Sequence, residues 1–245
     1  MRYLVISDIH ANRQALDAVL ADAQAIGYDA VLCLGDLVGY GADPGDAIAR
    51  VLALQPVGLI RGNHDKVCSG LEPATLFNDV AKHAAEWTHG VLTPAEIDAL
   101  VALPRGPLLV DPAIEICHGA PFDEDHYIFG ATDAGRAMDA ARARICLFGH
   151  THLPAVFTSP ADPATRPSGV AEDELKLPVS GPVLINVGSV GQPRDGDPRA
   201  AYGLLDMARK TIRLRRVVYD IAGAQQRILD VGLPARLADR LAKGQ

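Results

Sequence analysis

The early apolar runs of this chain all stop at the same kind of residue, and that pattern most constrains how it folds. Short strand-like runs end in Asp8-Ile9-His10, Gly35-Asp36, Gly62-Asn63-His64-Asp65, His118-Gly119 and Gly149-His150-Thr151-His152. In an open α/β sheet the C-terminal ends of the strands face one crevice, where ligands bind. Segments 28, 27, 55 and 32 residues apart therefore converge at one rim. Two-residue spacing in Asp8-x-His10 and His150-x-His152 puts both side chains of each pair on one side of an extended backbone.

The spacing between these ends is helical. A strand over 2–8 precedes a helix over 13–26 that stops at Gly27, and strands at 31–34 and 57–60 flank a helix over about 44–54. This strand–helix alternation predicts parallel crossovers with helices on a sheet. Helices are expected at 74–89 and 94–102, the second opened by Thr93-Pro94-Ala95-Glu96, and strands at 107–111, 114–117 and 145–148. The Pro-, Gly- and acid-rich stretch 159–182 reads as an irregular surface insertion. Strands at 183–187, 201–207 and 211–219 are close enough in sequence to pair antiparallel, and a helical pair covers about 221–243. Arg213, Arg215 and Arg216 read as the solvated face of an edge strand rather than a nucleic-acid patch. No linker divides the chain, so residues 1–245 are expected to form one domain.

Composition narrows the functional classes. With 49% hydrophobic and 22% charged residues, a chain of 245 residues folds around a sizeable core. The net charge of −7 gives no footprint for duplex nucleic acid, and an anionic substrate would need metal ions or a few arginines to offset it. No run approaches the roughly 18 apolar residues of a membrane span. The charged Asp8 arrives too early for a signal peptide. Four cysteines without a CxxC pair fit a reducing compartment. A cytoplasmic location is the expectation.

The strand-end residues supply four imidazoles, carboxylates and an amide. That mixture of nitrogen and oxygen donors suits Mn, Fe, Zn or Ni better than Ca or Mg. Seven donors are too many for one ion and suit two that share a bridge. Cys117 and Cys146 abut this set but alternate to the opposite side of their strands, as core thiols.

The ordered set Asp8-x-His10, Gly35-Asp36, Gly62-Asn63-His64-Asp65, His118-Gly119 and Gly149-His150-x-His152 resembles the calcineurin-like metallophosphoesterases over nearly the whole chain. The run from Asn186 to Arg194, Asp8-Ile9-His10-Ala11-Asn12 and Gly39-Tyr40-Gly41 look like the small prokaryotic, phosphodiesterase-like branch. The resemblance implies an α/β (α+β) fold with a central β-sandwich of mixed sheets flanked by helices. It implies two divalent transition-metal ions, Mn²⁺ favoured, one held by Asp8, His10 and His152, the other by Asn63, His118 and His150, with Asp36 bridging. It further implies in-line attack by a metal-bridging hydroxide on a phosphoester, with His64 as general acid and Asp65 orienting its imidazole. Arg194 is a candidate for pairing with the phosphate. Tyr40 and His126 stay open between lining the pocket and packing.

Small phosphodiesters or nucleotide derivatives are the expected substrates, with no membrane or duplex nucleic acid as partner. A dinucleoside polyphosphate hydrolase and a phosphoprotein phosphatase are the alternatives. A non-catalytic scaffold, as in the small retromer subunit, ranks last because every predicted ligand and His64 are present. A single-strand nuclease is disfavoured by the charge and by only five Phe, six Tyr and one Trp.

Overall fold

Eleven strands and eight α-helices are found among the residues that the computed structural model describes, 1–158 and 174–245. One sheet has six strands. Its parallel half is β1 (Arg2–Ile6), β2 (Ala30–Cys33) and β3 (Gly58–Leu59), joined through α1 (Arg13–Ile26) and α2 (Pro44–Ala53). On the other side of β1 run the antiparallel β10 (Ala200–Asp206), β11 (Thr211–Val217) and β8 (Glu174–Lys176). The second sheet has the order β4 (Leu108–Asp111), β5 (Ile114–Ile116), β6 (Ile145–Phe148), β9 (Val183–Asn186), β7 (Ala155–Phe157), with β5, β6 and β9 parallel.

The two-residue alternation of side chains along each strand sorts the core into layers. Tyr3, Val5, Leu32, Ile116, Ile145, Leu147, Val183 and Ile185 pack between the two sheets. Their neighbours Leu4, Ile6, Val31 and Cys33 turn outward to meet α1, α2, α4 (Asp79–Val91) and the C-terminal helices α7 (Ile221–Asp230) and α8 (Ala235–Lys243). On the far side Cys146, Phe148 and Leu184 pack against α6 (Ala131–Ala140). Strands buried on both faces read as continuous apolar runs. The result is the expected mixed-sheet sandwich flanked by helices.

Several local expectations change. The strand at 183–187 does not join 201–207: β9 pairs with β6 and β7 in the second sheet, and only β10 and β11 form the antiparallel pair. The helix expected at 74–89 divides into a single 3₁₀ turn, Ala74–Leu76, and α4, whose N-cap Asn78 accepts a bond from the Ala81 N–H. The segment 159–173 of the expected insertion lies outside the described residues, but its remainder contains β8, so it is not wholly irregular. Because β8 pairs with β11, the arginine-bearing strand is not an edge. Arg215 binds Asp22, Arg213 binds Glu174 and Arg216 binds Asp195. The short helices α3 (Asn63–Ser69) and α6 have no counterpart in the sequence reading, whereas α5 (Pro94–Val101) opens on the expected Thr93 cap. Among the described residues no helix is long and apolar enough to cross a membrane.

Candidate metal centre

The C-terminal ends of β1, β2, β3, β5 and β6 deliver the predicted ligands to one rim between the sheets. Asp8, His10, Asp36 and His152 form one buried group, and Asp36, His118 and His150 another, each offering ligand atoms within 4.8 Å of one another. Asp36 belongs to both: its Oδ2 lies 3.5 Å from His10 Nε2 and 3.3 Å from His118 Nε2. Asn63, at the first position of α3, brings its Oδ1 to 3.2 Å from His118 Nε2.

Backbone carbonyls set the imidazole tautomers. His10 Nδ1 lies 3.1 Å from the Val38 carbonyl, His118 Nδ1 2.8 Å from that of Leu34, and His152 Nδ1 2.6 Å from that of Gln192. A carbonyl only accepts, so each Nδ1 carries a proton and Nε2 is the nitrogen left to face the cluster. His150 is reversed, donating from Nε2 to the Asp125 carbonyl at 3.0 Å and leaving Nδ1 bare. His10 Nε2 and His152 Nε2 then face each other at 3.1 Å, two acceptors at hydrogen-bonding distance. Burial holds both imidazoles well below their usual pKa. A cation held by these donors would resolve this contact, and backbone carbonyls are usual second partners of metal-ligating histidines.

The electrostatics agree. Burial pushes Asp8 up to about 6. Burial opposes a charge on His118, yet the Asp36 carboxylate prevails and raises it to about 10. Without another cation the cluster recruits a proton, and a divalent ion competes for the same place. The donor set therefore fits divalent transition metals.

The backbone at the cluster is strained. Asp8, His10, Asp36, His150 and His152 all have φ between 49° and 66°, a region that costs an ordinary residue about 1–2 kcal/mol. Surrounding hydrogen bonds hold them there. Ile9 and His10 N–H donate to the Asp36 carbonyl, and the Asp8 carboxylate accepts from His150 N–H. Ser189 Oγ donates to the Asp8 carbonyl, while Asn186 Nδ2 binds the Gly149 carbonyl and Thr151 Oγ1.

His64 and Asp65 sit where expected, but Asp65 does not orient the His64 imidazole. Its carboxylate accepts from the N–H groups of Leu37, Val38 and Gly62, tying the loop after Asp36 to the start of α3. Adjacency in sequence is misleading here, because neighbouring side chains at a helix start diverge. The His64 ring packs against Tyr40 at 4.3 Å, Phe77 at 4.6 Å and His10 at 4.8 Å. Its Nδ1 is buried without a hydrogen-bond partner among the described residues, and Gly39 lies so close to it that a Cβ there would overlap it. Burial lowers His64 to about 4. Arg194 is half-buried, reaching Tyr40 Oη at 3.4 Å and Gln192 Oε1 at 3.2 Å, and forms no ion pair among the described residues. Tyr40 packs against His10 and His64, whereas His126 pairs with Asp133.

Sequence reasoning passes over three further residues. Phe77 lies on His64, and Tyr127 stacks on His150 at 3.8 Å. Lys66, 1% exposed, is bound by Glu72, Glu124 and Asp125. The only cue was three aromatic residues within 122–129 in a chain that is 5% aromatic.

A family model described as a calcineurin-like phosphoesterase superfamily domain matches residues 1–210. An uncharacterized protein of Methanocaldococcus jannaschii is 34% identical over 250 residues, covering 98% of this chain and 97% of that protein. The crystal structure of a metallophosphoesterase from Sphaerobacter thermophilus is 37% identical with a TM-score of 0.90, over 100% of both chains. A hypothetical protein from Pyrococcus horikoshii shares the fold at 21% identity and a TM-score of 0.81, over 100% of this chain and 98% of its own. With a family match over most of its length and a strand-end donor set suited to metal, this chain belongs to the calcineurin-like phosphoesterase superfamily and is a phosphoester hydrolase.

Proposed function

We propose that the chain is a dinuclear phosphoesterase acting on small phosphodiesters or nucleotide derivatives. The observation that carries this reading is the convergence of six donors in two groups sharing Asp36, with Asn63 beside His118 and the Nε2 atoms of His10 and His152 facing each other. Asp8, His10, His152 and Asp36 would hold one ion, and Asp36, Asn63, His118 and His150 the second. Mn²⁺ is favoured, and the same donors accommodate Fe, Zn or Ni. When bound, two such ions supply the charge that neutralises phosphoryl oxygens and the acidity that lets water attack near neutral pH.

The chain's own residues do the rest. Arg194, without a carboxylate partner among the described residues, offers its guanidinium to the phosphate. Asp65 holds the loop after Asp36, and through it the bridging carboxylate. His64 is neutral in the free protein, and an anionic phosphate offsets the burial that disfavours its charge. With Nδ1 buried, Nε2 is the nitrogen that delivers a proton to the leaving oxygen. A cytoplasmic location and a single catalytic domain belong to the same proposal. They are supported by four free, buried thiols and by a site drawn from both sheets.

The test is reconstitution with Mn²⁺, Fe²⁺, Zn²⁺ or Ni²⁺, followed by ion counting and assay on mono- and diesters. Two ions per chain and diesterase activity are expected, and Asp36→Ala should remove both ions. His64→Ala should slow poor leaving groups about 10²–10⁴-fold and p-nitrophenyl esters less. Two ions retained by Asp36→Ala would refute the bridge, and equal losses on both ester types would refute the proton donor.

A further inference from the structure

Beside the donor cluster lies a cleft of about 290 Å³ whose walls belong to no predicted motif except Asn63 and His150. Phe77 and Tyr127 line it, with Leu76 at its mouth, 96% exposed. Each aromatic wall also touches an imidazole of the site, Phe77 on His64 and Tyr127 on His150. Tyr127 is backed by Phe129 in a nearly parallel stack, 4° between planes. The cleft thus adjoins the proposed proton donor. Arg194 packs against Tyr40. Glu72 and Asp125 also line the cleft and bind the ammonium of Lys66, whose third partner, Glu124, is bound by Arg61.

We infer that this cleft is the leaving-group subsite and that it takes a planar, uncharged ring such as a nucleobase. The inference rests on the phosphodiester reading above. Aromatic walls and an exposed leucine favour stacking, which is tolerant of base identity. Anionic oxygens of the reacting phosphate are left to the cationic side.

The methyl ester of adenosine 5′-phosphate tests this within one reaction. Water can break the bond to the nucleoside, giving adenosine and methyl phosphate, or the bond to methyl, giving adenosine 5′-phosphate and methanol. Adenosine with methyl phosphate should dominate. Tyr127→Ala should shift the ratio toward methanol about 5- to 150-fold, the range for losing one stacked base. Because the ratio is internal, loss of metal or of folded protein lowers both products alike. Leu76→Ser, at an exposed position, should shift it in the same direction. Equilibrium dialysis adds a readout without turnover: adenosine should bind the wild-type chain at least 5-fold more tightly than Tyr127→Ala. Methanol as the main product with normal turnover, or equal adenosine binding by both chains, would overturn the subsite alone. No hydrolysis of either bond with any of the four ions would overturn the phosphodiester reading and the subsite with it.

Discussion

Replacing Lys66 with Met should damage the protein twice, in stability and in ion binding. The Lys66 ammonium lies 2.7 Å from Asp125, 3.2 Å from Glu124 and 3.2 Å from Glu72, with the side chain 1% exposed. Removing one partner of a buried ion pair usually costs about 3–5 kcal/mol, because an uncompensated charge stays buried. Glu72 and Asp125 are 48% and 43% exposed, so water takes over much of their solvation. Only Glu124, 9% exposed, is left inside, and Arg61 still binds it at 3.1 Å. The cost should therefore fall to about 2–3 kcal/mol, a drop in Tm of roughly 4–12 °C for a chain of this size. The second effect runs through Asp125, whose carbonyl accepts the His150 Nε2 proton and whose side chain loses its anchor. Loosening such a partner typically weakens metal binding about 10–100-fold. Thermal unfolding and competitive metal titration measure the two effects separately. Glu72→Gln, which removes only an exposed partner, should cost under about 1 kcal/mol. A Lys66→Met chain as stable as wild type would refute the burial argument. Unchanged affinity for the second ion would refute the link through Asp125 to His150.

Gly39→Ala places a methyl group against the His64 imidazole at φ 85° without touching a proposed ligand. It should depress turnover on poor leaving groups while two ions still bind, and loss of the ions instead would show that Gly39 serves the metal loops. Burial works against the Asp22 charge, but hydrogen bonds from Arg215 and Tyr202 outweigh it and hold its carboxyl below the usual range. A depressed carboxyl contributes stability that is full above its unfolded value of about 3.9 and lost as pH falls through the folded one. Urea unfolding should show Asp22→Asn less stable than wild type by about 1–2 kcal/mol at pH 7, with the gap closing toward pH 3, and a gap that persists there would contradict this. Mn²⁺ at about 100 times its dissociation constant should stabilise the chain by roughly 2.7 kcal/mol per site, seen as a rise in Tm that a chelator reverses and Asp36→Ala lacks.

The parallel framework was legible because its strands are buried on both faces and each stops at a polar residue. Elsewhere the same features mislead. A strand with apolar side chains on both faces carries no mark of which sheet it joins, so β9 reads as a neighbour of β10 although it lies beside β6. Strands β7 and β8 have three residues each, too few for alternation to register. Helix α3 has seven residues and starts inside the Gly62-Asn63-His64-Asp65 motif, so chemistry masks its periodicity. Helix α6, with Gly135 at its middle and alanines on its buried face, has little apolar contrast to read. At the site, identity and spacing pointed to the donors, whereas burial and direction did not show. Asp65 went to backbone N–H groups, and Lys66 lies inside because three carboxylates pair with it.

Backbone strain is the part of the site that no sequence pattern carries. Among the described residues nine non-glycine residues have positive φ, and seven of them, Asp8, His10, Ala11, Asp36, Tyr40, His150 and His152, belong to the donor cluster or its rim. Local preference would put glycine or asparagine at such places. Side chains are kept there because a ligand atom is needed, and the loops are held by the Asp65 carboxylate, the Asn186 amide and the Ser189 hydroxyl. Those three residues offer polar groups to backbone rather than to a metal or substrate, which makes them positioning residues. Their truncation should release the strained loops while leaving the sheets intact. Ser189→Ala and Asn186→Ala should thus raise amide hydrogen exchange at 8–11 and 149–152 more than within β1 or β6. Uniform acceleration across the strands would mean that the loops are held by the sheets themselves and that the strain has no local support.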